Sequence, residues 1–140
     1  MRVIKFRGFS EEKGTWLFGD LVQNAFREMK IVRWAMTRKG LPFAIEDTVE
    51  RDSVGQCTGL HDVTGKAIYE GDILAFATED CCDRLVVVWD NGAFVAEYVN
   101  RRAAGYRVRS SFFAANPKAF RIIGNVHDNS DLLKVEQRHE

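Results

Sequence analysis

The sequence predicts a mainly β protein, a small barrel or roll with an irregular N-terminal sheet and little helix. Apolar and polar residues alternate over many short segments, which is the periodicity of strands buried on one side. Tight-turn signals containing glycine separate these segments, and β-branched and aromatic residues fill the apolar runs. The length of 140 residues suits one domain. No linker rich in proline or serine divides the chain, so the best candidate boundary is the polar segment 46–53.

The N-terminal residues predict a hairpin. Alternation in MRVIKFRGF, residues 1–9, indicates a strand. A turn at Lys13–Gly14 leads into a second strand over residues 16–21.

The next segment, 24–40, is ambiguous, because its first residues also fit a helix. Alternation from Lys30 to Thr37 favours a third strand. After Pro42 we expect a short extended piece and then polar residues. There the DTVE sequence at 47–50 fits either a helix-capping box or a turn.

The strongest hairpin signal lies at Asp90-Asn91-Gly92, between two runs of β-branched and aromatic residues. Asn-Gly readily supplies the positive φ angles of a type I′ turn. The other elements predicted in this half are a turn at 63–65, a strand at 72–77, strands within 105–114 and 119–128, and a short helix or tail over 130–140.

The Gly71-Asp72 pair predicts a turn that feeds a strand. Glycine tolerates backbone angles that other residues avoid, and an aspartate carboxylate can accept hydrogen bonds from nearby backbone N–H groups. Gly19-Asp20 is expected to act in the same way. The alternative is that Asp20 and Asp72 converge as an acid pair or a metal site.

A weak internal echo links GTWLFGDL at 14–21 with GKAIYEGDIL at 65–74. Both segments place an aromatic residue shortly before Gly-Asp-aliphatic. The echo is either a structural repeat or a chance likeness between two turn-rich hairpins.

Composition limits the classes of function. Apolar residues make up 46% of the chain and include ten Phe and three Trp, enough for a core without disulfides or metals. The formal net charge is zero, which argues against binding nucleic acid or membrane through overall charge. No apolar run is long enough to span a membrane, and no signal peptide is visible.

The charges are segregated along the chain. Residues 1–43 carry nine Lys/Arg against four Asp/Glu, residues 44–83 carry two against ten, and residues 84–140 carry nine against six. The blocks therefore have nets of +5, −8 and +3. Either folding mixes them over the surface, or oppositely charged faces attract between copies and favour a homo-oligomer.

The cysteines and histidines predict neither a metal site nor a catalytic site. Cys57 and His61 form one half-pair, whereas zinc sites usually combine two such pairs. Cys81 and Cys82 are adjacent and poorly placed for a mutual disulfide, so we expect a reduced cytoplasmic protein. No nucleophile elbow or phosphate loop occurs. No catalytic residue, metal or cofactor is predicted.

Five segments carry a resemblance to a known family. VGQCTGLHDVTGKAIYEGDIL at 54–74 resembles the signature of the YopX family, small proteins of phages and prophages. MRVIKFRGF at 1–9 resembles its opening strand, and GTWLFGDL at 14–21 its second. VVVWDNGAFVAE at 86–97 resembles its central hairpin, and FRIIGNVHDNSDLL at 120–133 its closing segment.

The resemblance implies an SH3-like β-roll with an N-terminal β extension. On this expectation residues 1–53 form the extension, 54–133 the roll and 134–140 a tail. Two departures are Cys57, where an apolar or aromatic residue is more usual, and the basic stretch at 97–117. The family has no accepted activity, so the resemblance assigns no catalytic residue. It implies a phage or prophage origin and a location in the host bacterial cytoplasm.

The segment 98–127 holds six basic residues and no acidic one, with Tyr106, Phe112 and Phe113 interleaved. It fits a nucleic-acid backbone with stacked bases, an acidic protein partner, or pairing with the acidic block 44–83. The basic residues are Arg101, Arg102, Arg107, Arg109, Lys118 and Arg121.

These observations predict a non-enzymatic interaction or assembly module that binds itself or another protein. The alternative is a nucleic-acid-binding protein that uses the segment 98–127. The four residues predicted to form the binding face are Arg101, Arg102, Arg107 and Arg109. The residues predicted to form the core are Trp89, Val87, Ile73, Phe76, Phe94 and Ile122.

Overall fold

The structure is a computed structural model that describes residues 3–78, 83–99, 107–108 and 110–134. It is mainly β, with two antiparallel sheets and 12% helix, which confirms the predicted class. Over these described ranges the sheets do not close into a barrel.

The described strands lie close together in sequence, joined mostly by short turns. They are β1 Phe6–Ser10, β2 Thr15–Gln23, β3 Met29–Met36, β4 Pro42–Val49, β5 Gly55–His61, β6 Ala67–Tyr69, β7 Asp72–Phe76, β8 Leu85–Asp90, β9 Ala93–Tyr98, β10 Arg107–Val108 and β11 Phe120–Asn125. The helical segments are α1 Ser110–Ala115 and the 3₁₀ turns Arg51–Ser53, Pro117–Ala119 and Ser130–Leu133.

The chain divides into two compact units, Met1–Cys57 and Thr58–Glu140. We call them unit 1 and unit 2. Each has its own cluster of buried apolar side chains.

Unit 1 is built on an antiparallel sheet in the order β4-β3-β2-β1-β5. β1 and β2 form the predicted N-terminal hairpin, which closes at the pair Ser10↔Thr15. β3 confirms the predicted third strand. Leu17, Ile31 and Val49 form the buried centre of this unit.

The strand β4 is longer than the short extended piece predicted after Pro42. It pairs with β3 without interruption from Met29↔Val49 to Met36↔Pro42. DTVE therefore starts no helix, because its first three residues complete this strand. The cross-strand pairing decides the conformation over a local capping pattern.

The expected turn at Gly19-Asp20 is wrong. Both residues lie inside β2, where Asp20 pairs with Val32. A Cβ atom at Gly19 would collide with the carbonyl oxygen of Val32, so glycine is needed here for close approach of two backbones. The segment 14–21 runs into one continuous strand whereas 65–74 crosses a turn, so the echo between them is not a structural repeat.

Unit 2 contains the antiparallel sheet β10-β9-β8-β7-β11, and β6 lies beside the last residues of β5. Phe113 and Phe120 are fully buried, with ring centroids 5.7 Å apart. The other members of this buried cluster are Ile68, Leu74, Leu85, Val87 and Ala96.

The predicted turns of unit 2 are confirmed. Gly71 has φ +90°, and the Asp72 carboxylate accepts a hydrogen bond from the Tyr69 N–H at 2.7 Å. Asn91 and Gly92 have φ angles of +49° and +81°, as a type I′ turn requires. The Gly-Asp motif is therefore part of the scaffold.

The predicted core is correct except for Trp89, which is 53% exposed. Val87 and Ile73 are fully buried, and the predicted residues Phe76, Phe94 and Ile122 pack against the core. Trp89 pairs with Phe94 one step from the end of the hairpin, past the buried pair Val87↔Ala96. It shares the core-facing side of β8 but extends past the core.

The strand predicted over 105–114 is wrong in its second half. Among the described residues of that range, Arg107–Val108 form a strand, and α1 begins at Ser110. Within α1, Phe113 is buried and Phe112 is 47% exposed. Burial of Phe113 against the sheet residue Phe120 favours this helix over a further strand.

A buried aspartate, Asp62, joins the turn after β5 to β11, and sequence reasoning missed it. The residue is 1% exposed. Its Oδ1 atom accepts hydrogen bonds from the Thr64 N–H at 2.9 Å, the Thr64 hydroxyl at 2.7 Å and the Lys66 N–H at 3.0 Å. Its Oδ2 atom accepts one from the Ile122 N–H at 2.9 Å.

These hydrogen bonds keep Asp62 ionised. Burial alone would raise the pKa of its carboxyl, but the hydrogen bonds outweigh this effect. Among these hydrogen bonds, the one from Ile122 lowers the pKa most, followed by that from the Thr64 hydroxyl. The pKa of Asp62 therefore lies below its ordinary value of 3.8.

We predict that Asp62→Asn destabilises the protein by about 1–3 kcal/mol, because an amide NH₂ in place of Oδ2 cannot accept the Ile122 hydrogen bond. Urea unfolding followed by circular dichroism measures this loss. The matched control is Asp20→Asn at an exposed strand position, which should change stability by less than about 0.5 kcal/mol. Equal effects of the two changes would contradict the role given to Asp62.

We also predict that the free energy of unfolding depends on pH in acid through Asp62, and that Asp62→Asn removes this contribution. Because the pKa of Asp62 is lower in the folded state, its stabilisation is complete above pH 3.8 and is lost as the pH falls through the folded value. The free energy of unfolding should therefore fall more steeply below pH 3.8 in the wild type than in Asp62→Asn. Parallel curves for the two proteins would show that Asp62 titrates normally.

Candidate interaction surface

The β3–β4 hairpin continues beyond its pairing with the rest of the unit 1 sheet. β2 pairs with β3 from Gln23↔Met29 only as far as Asp20↔Val32. β3 and β4 then pair with each other for four more residues, to Met36↔Pro42. We call residues 33–45 the arm.

A compact turn closes the arm. The Thr37 N–H donates to the Leu41 carbonyl at 2.8 Å, and the Gly40 N–H donates to the Thr37 carbonyl at 2.9 Å. The Thr37 hydroxyl also accepts a hydrogen bond from the Leu41 N–H at 3.0 Å. These bonds hold the two strands in register up to the end of the arm.

The arm exposes large apolar side chains on both of its faces. Trp34 is 66% exposed, Met36 64%, Leu41 62% and Phe43 43%. Trp34 and Met36 are two residues apart and project from one face. Phe43 is the cross-strand partner of Ala35, so it projects from the other face. Apolar side chains this exposed and this close together are typical of an interaction surface.

Ion pairs hold the base of the arm. Asp47 lies 3.0 Å from the Lys13 ammonium and 3.2 Å from the Arg33 guanidinium. The hydrogen bond from Lys13 has the largest effect on Asp47 and lowers its pKa, and Arg33 lowers it further against an opposing effect of burial. Asp47 thereby joins the β1–β2 turn, β3 and β4.

The tip of the arm is basic. Arg38 and Lys39 are exposed in the turn, and no acidic residue occurs from Met29 to Ile45. The acids begin at Glu46, where the arm joins the rest of β4. The arm therefore combines exposed apolar side chains with a positive tip.

Aromatic rings and cations also meet on the β1–β2 hairpin. The Arg7 guanidinium lies 4.9 Å from the centroid of the Trp16 ring, and the Lys5 ammonium lies 5.8 Å from that of Phe18. Phe18 is 42% exposed. By strand alternation it shares its face of the sheet with Trp34 of the arm. The apolar surface therefore extends from the arm onto β2.

Most of the basic face predicted from the sequence lies outside the described residues. Arg101, Arg102 and Arg109 lie outside the described residues. Arg107 belongs to β10 and pairs in register with Glu97, but its side chain lies outside the described part of the chain. The basic face therefore stays a prediction.

The aromatic residues interleaved in the basic segment 98–127 do not share one environment. Phe113 is a core residue and Phe112 is half exposed, while Tyr106 lies outside the described residues. Lys118 and Arg121 are exposed.

Several acidic residues of the block 44–83 make hydrogen bonds or ion pairs within the fold. Asp62 and Asp72 are buried turn residues that accept backbone hydrogen bonds, and Asp47 is paired with two cations. Cys57 is buried on β5, with His61 exposed on the same strand. In the ranges that the structure describes, no three His, Cys, Asp or Glu side chains are grouped so that they could hold a metal ion.

Sequence reasoning predicted the β3 strand but missed the exposure of the arm. The available signal was the alternation of Trp34 and Met36 followed by the Arg38-Lys39 turn. Large apolar residues on one side of a strand ordinarily indicate a buried face. Here Trp34 and Met36 stay exposed, so no described element packs over that face of the arm.

Among the described helices, none is long and apolar enough to cross a membrane.

Comparison with known proteins connects this architecture to a family. The family model described as "YopX protein" matches residues 5–134, nearly the whole chain. The crystal structure of protein EF1440 from Enterococcus faecalis is similar in fold, with a TM-score of 0.63 and 20% sequence identity. That match covers 96% of this chain and 100% of the other. No curated protein matches the chain. On the strength of the family match, the chain belongs to the YopX family.

Proposed function

We propose that this protein is a non-enzymatic interaction module and that the arm is its protein-binding surface. The observation that carries the proposal is the exposure of Trp34, Met36 and Leu41, each above 60%, on one short hairpin. We place the module in a phage or prophage and in the cytoplasm of the host bacterium, as the family resemblance implies.

The exposed apolar area of the arm favours a protein partner. An aromatic side chain offers roughly 150–250 Å² of surface, so the four exposed apolar residues of the arm present on the order of 400–500 Å². A partner that covers one face of the arm would bury about half of this area, which at about 25 cal/mol per Å² contributes on the order of 5 kcal/mol before the costs of association. Aromatic residues, Met and Arg are also the types enriched in protein interfaces.

The arm is rigid enough to act as a recognition element. Its strands are paired along their whole length, and the ion pairs of Asp47 fix its base. Little backbone order would have to be gained on binding, which lowers the entropic cost of association.

A second candidate function is nucleic-acid binding. Lys118 and Arg121 are exposed, and the segment 98–127 contains no acidic residue. The exposed ring of Phe18 with the Lys5 ammonium beside it is also a combination that proteins use to bind single-stranded nucleic acid. Such binding would weaken steeply with salt, because phosphate contacts release counterions.

We predict that a photo-reactive amino acid at position 36 forms discrete protein adducts in cells that express the protein. The matched control places the same group at Val63, which is 47% exposed and lies in unit 2. Trp34→Ser should reduce the position-36 adducts at least several-fold, because it removes the largest exposed apolar side chain of the arm.

Denaturing gels with and without nuclease treatment read out the result. Equal adducts from positions 36 and 63, or the absence of protein adducts from position 36, would contradict the proposal. Adducts that nuclease treatment removes would favour the nucleic-acid function instead.

A further inference from the structure

We propose that the partner of the arm is a second copy of this chain, bound edge to edge through β4 in an antiparallel pair. This inference rests on the proposed function of the arm as a protein-binding surface. It adds the identity of the partner and the direction of the pairing.

The first support is the open edge of β4. Among the described strands of unit 1, β4 is outermost in the sheet order and pairs with β3. β1 approaches it only where it ends, since the Glu50 N–H just after β4 donates to the Phe9 carbonyl at 2.9 Å. Residues 42–44, together with Glu46 and Thr48, are exposed. The outer backbone groups of such a strand can pair with a strand from another chain.

The second support is that β4 lacks the usual protection of an edge. Natural edge strands are commonly shielded by lysines, bulges, internal prolines or short length. β4 has eight residues in an uninterrupted register with β3, no lysine, and a proline only at its first position. Its Asp47 charge is balanced by Lys13 and Arg33. The strand is therefore suited to pairing.

The third support is the distribution of charge along the arm. Arg38 and Lys39 make its tip positive, whereas Glu46 and Asp52 are exposed acids at its base. Antiparallel pairing places the tip of each arm beside the base of the other, and parallel pairing would bring the two positive tips together. A two-fold interface of this kind is self-complementary.

The cations near the base lie beside these acids without covering them. Lys30 lies on β3, opposite Thr48, between β2 and β4. Arg33 is paired with Asp47. Arg51 keeps its charge while it donates a hydrogen bond to the carbonyl of Arg27. Glu46 on β4 and Asp52 in the 3₁₀ turn that follows it are both exposed, so they can contact a second copy.

Charge reversal tests both the partner and the direction. We expect light scattering on a sizing column to show a dimer for the wild type at low salt, with dissociation as salt rises. The tip variant Arg38→Glu/Lys39→Glu and the base variant Glu46→Lys/Asp52→Lys should each be folded monomers, because each substitution places like charges at the proposed tip–base contacts. An equimolar mixture of the two should form a dimer, since both tip–base contacts are then attractive.

Circular dichroism should show that each variant is folded, because the substituted side chains are all exposed. A wild type that stays monomeric at concentrations of hundreds of micromolar, or variants that remain dimeric, would overturn the inference. Failure of the mixture to dimerise would also overturn it.

The two proposals fail in different ways. Adducts from position 36 to other proteins, with a monomeric wild type, would remove the self-association alone. If position 36 forms no protein adducts at all, the proposed function fails as well.

Discussion

The difference in length between two strand pairings determines the surface of unit 1. β3 pairs with β2 over four residues and with β4 over eight, so half of the β3–β4 hairpin has no strand on the β2 side. The buried residues Leu17, Ile31 and Val49 stabilise the shared part of the sheet. Asp47 then connects β4 to β3 and to the β1–β2 turn through Arg33 and Lys13. The exposed apolar residues beyond this point are therefore held on an ordered hairpin.

The segment that resembles the family signature provides turns and buried contacts of the fold. Within residues 54–74, Asp62 and Asp72 are buried and accept backbone hydrogen bonds, and Gly71 adopts a positive φ. Substitutions there are expected to act on stability. The surface that we propose for recognition lies instead on residues 33–45.

Local features were predictable from the sequence and long-range ones were not. Gly71-Asp72 and Asn91-Gly92 specify their turns through their own backbone preferences and short hydrogen bonds, so both turns were predicted correctly. The partner of Asp62 is Ile122, 60 residues away, and no local pattern indicates it. The exposure of Trp34 and Trp89 depends on whether another part of the chain packs over that face of the strand. Alternation marks the face of a strand but does not show what covers that face.

Amide exchange along β4, measured by NMR at low and high protein concentration, tests the account most directly. If the arms of two copies pair edge to edge, alternate amides of residues 43–48 should gain protection as concentration rises. The amides that already bond within the β1–β2 hairpin should not change. Exchange along β4 that is independent of concentration, in a protein whose arm remains exposed, would contradict the account.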